Sequence, residues 1–186
     1  MGKQTYQYIV AKSILGSNPD EYSLTEHEYY QMYSFYVTYS MCGTQSAKKR
    51  SFVDYGWASE SIKNTILVTT LTRVLNLNRN PEFIFTEKDD LSLQFASHNL
   101  LDGYLSNVDY ERAVIAKTDA QNNYLKLFYR IRDGFAHGKF KLRYSKSGEK
   151  MVIIQDDNQH NVTARIVIKL STLLKFVNSI DVNRII

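Results

Sequence analysis

Arg132-Asp133-Gly134-Phe135-Ala136-His137-Gly138-Lys139-Phe140-Lys141-Leu142-Arg143-Tyr144 is the stretch where the apolar rhythm of this chain changes. Upstream, Tyr110, Val114, Tyr124, Leu127, Phe128 and Ile131 recur in steps of three, four or their sums. That spacing gathers them on one stripe and predicts a helix from about Asp109 to Asp133. Gly134 is expected to stop it, because glycine takes the left-handed conformation that closes helices. Downstream, Phe140, Leu142 and Tyr144 alternate with Lys141 and Arg143, the period of a strand with one wet side.

Beyond that junction, Ser147-Gly148 predicts a turn before Met151-Val152-Ile153-Ile154. A polar turn, Asp156 to Asn161, leads to Val162–Leu170, where Ala164, Ile166 and Ile168 alternate with Arg165 and Lys169. Three antiparallel strands in a small meander follow, and then a helix capped by Ser171 that carries Leu174, Phe176, Val177 and Ile180. Toward the N-terminus, Asp89–Ser106 is expected to be helical, with Leu91, Phe95, Leu100 and Leu101 in the core. Asn76 to Pro81 is a turn, and about Ala58 to Leu77 is another helix. Ser23-Leu24-Thr25-Glu26 matches a capping box that opens a Tyr-rich helix to about Met41. In that helix the Tyr29-Tyr30, Tyr33 and Tyr36 group is expected in the core or at a dimer interface. Gly43 to Arg50 is a polar, basic connection. Residues 3–15 are a further short helix, separated by the Gly16-Ser17-Asn18-Pro19-Asp20 loop. The expected fold class is mainly α: a helical bundle with a small antiparallel β-meander near the C-terminus, in one domain spanning residues 1–186.

Length and composition agree with a single globular domain: 186 residues can bury a real core, and 23% charge of mixed sign does not describe a disordered chain. A net charge of +4 permits an anionic partner without demanding one. A single cysteine, Cys42, excludes an internal disulfide and any multi-cysteine metal site. Residues 1–20 lack the apolar core of a signal peptide and no long apolar run occurs, so a soluble, cytoplasmic protein with no membrane partner is expected. On that expectation the Asn161-Val162-Thr163 sequon is a chance match.

The chemistry-bearing residues concentrate at the junction. Arg130, Arg132, Lys139, Lys141, Arg143 and Lys146 crowd around His137. Imidazole can give or take a proton near neutrality, and guanidinium offers phosphate a planar fork whose charge does not titrate away. His137 and Arg132 are therefore candidate catalytic residues. Asp133 is expected to orient one of them. Arg130, Lys139, Lys141 and Arg143 are candidate RNA contacts, although a solvated strand face explains the last three equally well. Other constellations are poorer: His27 lacks the partner histidine of a zinc-protease helix, His98 falls in a helix with no clustered carboxylates, His160 sits in a polar turn, and no glycine-rich phosphate loop or serine elbow occurs. No metal site and no cofactor are expected.

Arginine, a polar residue, a short gap and Ala-His-Gly at a helix end resemble the signature of the HEPN superfamily. Arg132 gives the four-residue gap to His137, with Asp133 in a polar slot where Asn is more usual. The resemblance extends over about residues 125–177, through Phe140-Lys141-Leu142, Thr163-Ala164-Arg165-Ile166-Val167-Ile168 and Ser171-Thr172-Leu173-Leu174. This C-terminal layout is similar to that of a prokaryotic, plasmid- or defence-associated subfamily. The resemblance implies a four-helix-bundle core, a homodimer that brings two motif copies together, and metal-independent endoribonuclease activity. It also implies toxin–antitoxin or phage-defence biology, with an antitoxin or defence-system partner protein. Its alternative is a catalytically silent module that binds RNA, a nucleotide or a protein.

Overall fold

The computed structural model describes residues 19–40, 50–57, 63–76, 82–102, 105, 107–117, 123–158 and 161–181. Helix α1 (Glu26–Tyr33) passes into a π-helical turn, Ser34–Thr38. Then come α2 (Lys63–Leu75), β1 (Phe83–Thr86), a 3-10 turn (Lys88–Asp90), α3 (Leu91–Ser97) and β2 (Arg112–Ala116). The chain continues through α4 (Asn123–Ala136), β3 (Phe140–Tyr144), β4 (Lys150–Asn158), β5 (Asn161–Lys169) and α5 (Leu170–Ile180). The strands form one mixed sheet in the order β1-β2-β5-β4-β3, parallel between β1 and β2 and antiparallel elsewhere.

This is an α/β fold, and the expected mainly-α bundle is corrected by it. The β3-β4-β5 meander is present, but it is three-fifths of a larger sheet; β2 comes from a stretch expected to be helical, and β1 from one given no element. The supposed helix from Asp109 to Asp133 is two elements. Arg112–Ala116 lies between β1 and β5 and is buried at every position. A strand covered on both faces needs apolar residues on both, so it shows no alternation and its spacing is easily taken for part of a helix stripe. Ala113 and Ile115 join the core on one face, Val114 and Ala116 the core on the other. The expected Asp89–Ser106 helix ends at Ser97, and Asn99 takes a left-handed φ of 54° just beyond it.

The main core fills the face of the sheet bearing Val152, Ile154, Ile166 and Ile168, against Met32, Phe35, Leu71, Phe128, Phe135 and Phe176 of the helices. Helix α5 alone buries Leu170, Leu173, Phe176, Val177 and Ile180. At about 1.5–3 kcal/mol for each large apolar side chain removed from water, it is a principal source of stability. The opposite face carries Met151, Ile153, Val162 and Val167 and is covered by Leu91 and Phe95 of α3 and by Leu100, Leu105 and Val108.

Two local details differ from expectation by a short slide. The capping box is formed by Thr25 and Glu28: the Thr25 N–H donates to Glu28 Oε2 at 2.8 Å and the Glu28 N–H to Thr25 Oγ1 at 3.2 Å. Helix α5 starts directly from β5 with Lys169 at its N-cap and no side-chain cap, in place of Ser171. Of the tyrosine group, Tyr36 is buried, Tyr33 half-buried, and Tyr29 and Tyr30 are exposed. The expected helix over residues 3–15, Cys42, and most of the Gly43–Arg50 connection and the Asn76–Pro81 turn lie outside the described residues.

The free edge of β3 is closed by the segment before α1. The Glu21 N–H donates to the Leu142 carbonyl at 2.9 Å, the Leu142 N–H to Asp20 Oδ1 at 2.9 Å, and the Tyr144 N–H to Glu21 Oε2 at 2.7 Å. Among the described residues no helix is long and apolar enough to cross a membrane.

Candidate active site

Helix α4 delivers the motif. Leu127, Phe128, Ile131 and Phe135 face the core, which leaves Lys126, Arg130, Asp133 and His137 along a neighbouring stripe at steps of four, three and four. The helix runs through Gly134, which is not its stop. A Cβ at Gly134 would lie 2.2 Å from Ile154 Cγ2, so glycine is there to let α4 approach β4. The stop is Gly138, at φ +64°. The Gly138 N–H donates to the Phe135 carbonyl at 3.3 Å and the Lys139 N–H to the Gly134 carbonyl at 2.8 Å, the paired bonds of a Schellman motif. His137 is thereby held exposed at the last position of the closing turn, and β3 begins two residues after Gly138.

An open groove of about 490 Å³ sits at this end of α4, lined by Arg130, Asp133, His137, Lys139 and the Asp156-Asp157-Asn158 stretch. The last three were expected in a turn; they are the end of β4. A register shift there places Asp156 opposite Ala164 but Asp157 opposite Val162, so Thr163 bulges from β5. Its hydroxyl donates to Asp156 Oδ2 at 2.7 Å.

The structure brings Arg130, Asp133, His137 and Lys139 to one groove and sets the other candidates apart. Arg132 donates from an Nη to Asp133 Oδ1 at 2.6 Å and does not line the groove itself. Arg143 points to Glu21 at 3.0 Å, and Lys146 to Asp109 at 2.8 Å. Lys141 is half-buried on β3. Within the groove, Arg130 pairs with buried Asp156, and Lys139 with Asp157 at 2.5 Å. The basic face expected to track a phosphate backbone is thus already balanced by carboxylates. No group of three or more metal-ligating side chains gathers among the described residues.

Sequence reasoning missed Asp156 and Asp157, which reach the groove only through sheet pairing. It also missed Lys126, four residues before Arg130. Burial, and after it the Arg130 charge, pushes the Lys126 ammonium below its ordinary value, while Asp156 and Asp133 pull it back up. The helical step from Arg130 was the available signal. No family model, curated protein or solved structure matches the chain.

Proposed function

We propose that the groove at the end of α4 binds RNA and cleaves it without a metal, with His137 as the proton-transfer group and Arg132 stabilising the phosphate. The observation that carries this reading is the Schellman closure, which presents an exposed imidazole beside Arg130, Lys139 and Asp133, the last of which holds Arg132 at the margin of the groove. In the proposed step the 2′-oxygen bonds to phosphorus as its proton is removed, and the bond to the 5′-oxygen breaks as that oxygen is protonated. The products are a 2′,3′-cyclic phosphate and a free 5′-hydroxyl. Positioned acid–base help of this kind contributes roughly 10²–10⁴-fold. A single chain offers one His137, so two copies related by a two-fold axis would divide the acid and base duties.

Because Lys139 and Arg132 are carboxylate-paired, a phosphate must exchange with Asp157 and Asp133 to be held. Both pairs are partly exposed, where such exchange costs little: median values for surface pairs are about 0–1 kcal/mol. The same pairing favours a second reading, a module that binds RNA or a protein and cuts nothing.

One comparison separates the two: purified wild type against His137→Ala on mixed RNA in EDTA, reading the fragment ends. The proposal expects cyclic-phosphate ends from wild type and about 10²-fold or greater loss in the variant. Equal cutting by both, or a strict metal requirement, overturns it. RNA binding without cutting supports the second reading.

A further inference from the structure

A second concavity shares no lining residue with the His137 groove. It holds about 210 Å³, roughly seven waters' share of liquid volume. Its walls include Tyr30, Gln31, Ser34, Tyr39, Arg50 and Asp181. The π-helical turn builds it. In an α-helix, residues five apart point about 140° away from each other. Here the Tyr39 N–H donates to the Ser34 carbonyl at 2.8 Å, and the wider turn stacks those two residues over one another at the cavity wall.

The cavity is aromatic and carries both signs of charge. The Arg50 guanidinium lies 4.1 Å from the Tyr39 ring centroid and 5.8 Å from that of Tyr55, and the Tyr55 hydroxyl donates to the Tyr39 carbonyl at 2.8 Å. These contacts hold the guanidinium against the aromatic wall. Asp181, just past α5, supplies a carboxylate. Tyr30 is 65% exposed at α1, a large ring available to stack.

We infer that this cavity binds a single guanine base, a function beyond the proposed groove chemistry and independent of it. A planar ring fits against tyrosines at this volume. Guanine offers adjacent O6 and N7 acceptors, which suit an arginine fork, and adjacent N1–H and N2–H donors, which suit a carboxylate. Adenine and uracil fail both of those matches, and cytosine, which has adjacent O2 and N3 acceptors, fails the second. Arg50 takes the acceptor edge, Asp181 the donor edge, and Tyr30 closes over the face. The base belongs to a free guanine nucleotide or to a guanosine in an RNA strand.

The test uses the full chain and its one tryptophan as reporter. Trp57 donates its indole N–H to the Ile180 carbonyl at 2.7 Å, one residue from Asp181. Trp57 emission would be followed while guanosine, inosine, adenosine and uridine monophosphates are titrated separately. Inosine lacks only the N2 amino group, so its comparison with guanosine on the wild type needs no variant to fold. A saturable change with guanosine monophosphate, weaker by about 10- to 100-fold for inosine and adenosine and weakened similarly in Asp181→Asn, is expected. A melting curve of the variant like that of wild type confirms that it is folded. Equal affinity for adenosine and guanosine, no saturable change with any, or unchanged affinity in a folded Asp181→Asn overturns the inference. Tighter binding of an oligonucleotide with one guanosine than of the monophosphate assigns the base to RNA; the reverse assigns it to a free nucleotide.

Discussion

On the α3 side of the sheet, Arg165 is wholly buried and commits every nitrogen of its guanidinium. Nε donates to Gln155 at 3.2 Å, one Nη to the Leu100 carbonyl at 2.7 Å, and the other to Asp102 at 2.5 Å. The group also lies 5.5 Å from the centre of the Phe95 ring. At the same end of β4 but on the α4 side of the sheet, Arg130 and Arg132 each give one Nη to one carboxylate, and the Nε of each, like that of Arg112, is buried with no partner among the described residues. Arg130, Arg132 and Arg165 carry the same charge beside an aspartate. Arg165 and its neighbour Arg112, which donates to the carbonyls of Asn99 and Tyr110, hold an irregular loop whose backbone acceptors would otherwise be orphaned. Arg130, which lines the groove, and Arg132 beside it each keep a second Nη outside these bonds, and a guanidinium with donors to spare is one that can accept a phosphate.

The comparison is sharpest where activity and stability part. Arg132→Ala should lower RNA cleavage by about 10²–10³-fold, the loss seen when one stabiliser of transition-state charge is removed. Its thermal stability should change by less than about 1 kcal/mol, because the Arg132–Asp133 pair is partly exposed. Single-turnover rates beside a melting curve read both, and an equal loss in RNA binding would make Arg132 a simple anchor. Arg165→Met should reverse the pattern. Breaking a buried pair costs about 3–5 kcal/mol, and the low end applies because Asp102 is half-exposed and can turn to water. Denaturant unfolding measures it; a loss under about 1 kcal/mol would show that the loop does not depend on its arginine.

Gly134 lies between the two regions, touching Ile154, whose chain neighbours Gln155 and Asp156 serve Arg165 and Arg130. Gly134→Ala should gain about 1 kcal/mol of helix propensity and lose about 1–3 kcal/mol to overpacking against a buried, branched side chain. The expected net loss is about 1 kcal/mol, with cleavage reduced because α4 is pushed off β4. A stabilised Gly134→Ala protein would mean that the helix has room to move.

Acid should have the smallest effect, away from both arginine clusters. Hydrogen bonds from the Lys146 ammonium, and then from its backbone N–H, hold the exposed Asp109 carboxyl below its ordinary range. Burial raises the Glu28 carboxyl, but the Thr25 amide and Lys150 outweigh it, and the net direction is also down. A carboxyl depressed in the folded state adds stability above its unfolded pKa, and that part is lost as pH falls through the folded value. Melting temperature should therefore decline below about pH 4, the ordinary carboxylate range. A melting temperature that rises on acidification through that window would contradict the assignment.

What could be read from the sequence follows from how each segment is covered. In β3 and β5 charged residues alternate with apolar ones in the sequence and turns separate the strands, and α5 keeps an amphipathic stripe, so these were legible although β4 and β5 are covered on both faces. The strands β1 and β2 were not. Phe83-Ile84-Phe85-Thr86 is a four-residue aromatic and β-branched run with no flanking repeat, and Arg112–Ala116 is buried on both faces. Tyr110 and Val114 matched the α4 stripe by an accident of spacing. In the site, Arg132, Asp133 and His137 are neighbours along one helix and could be found together. Asp156 and Asp157 arrive by strand pairing, which no local pattern encodes. Arg165 looked like the polar member of an alternating strand, and only the tertiary structure shows that its face is covered as well.

The seal on β3 has a consequence for the order in which this protein is made. An uncovered strand edge is a template for pairing with another chain. The groups that cover this one belong to Asp20 and Glu21, which lie 122 and 123 residues ahead of their partners Leu142 and Tyr144 along the chain. Synthesis runs from the N-terminus, so the cover has left the ribosome long before the edge it protects has been made. This border of the sheet is closed by something already waiting for it, and the nascent chain need not present it bare.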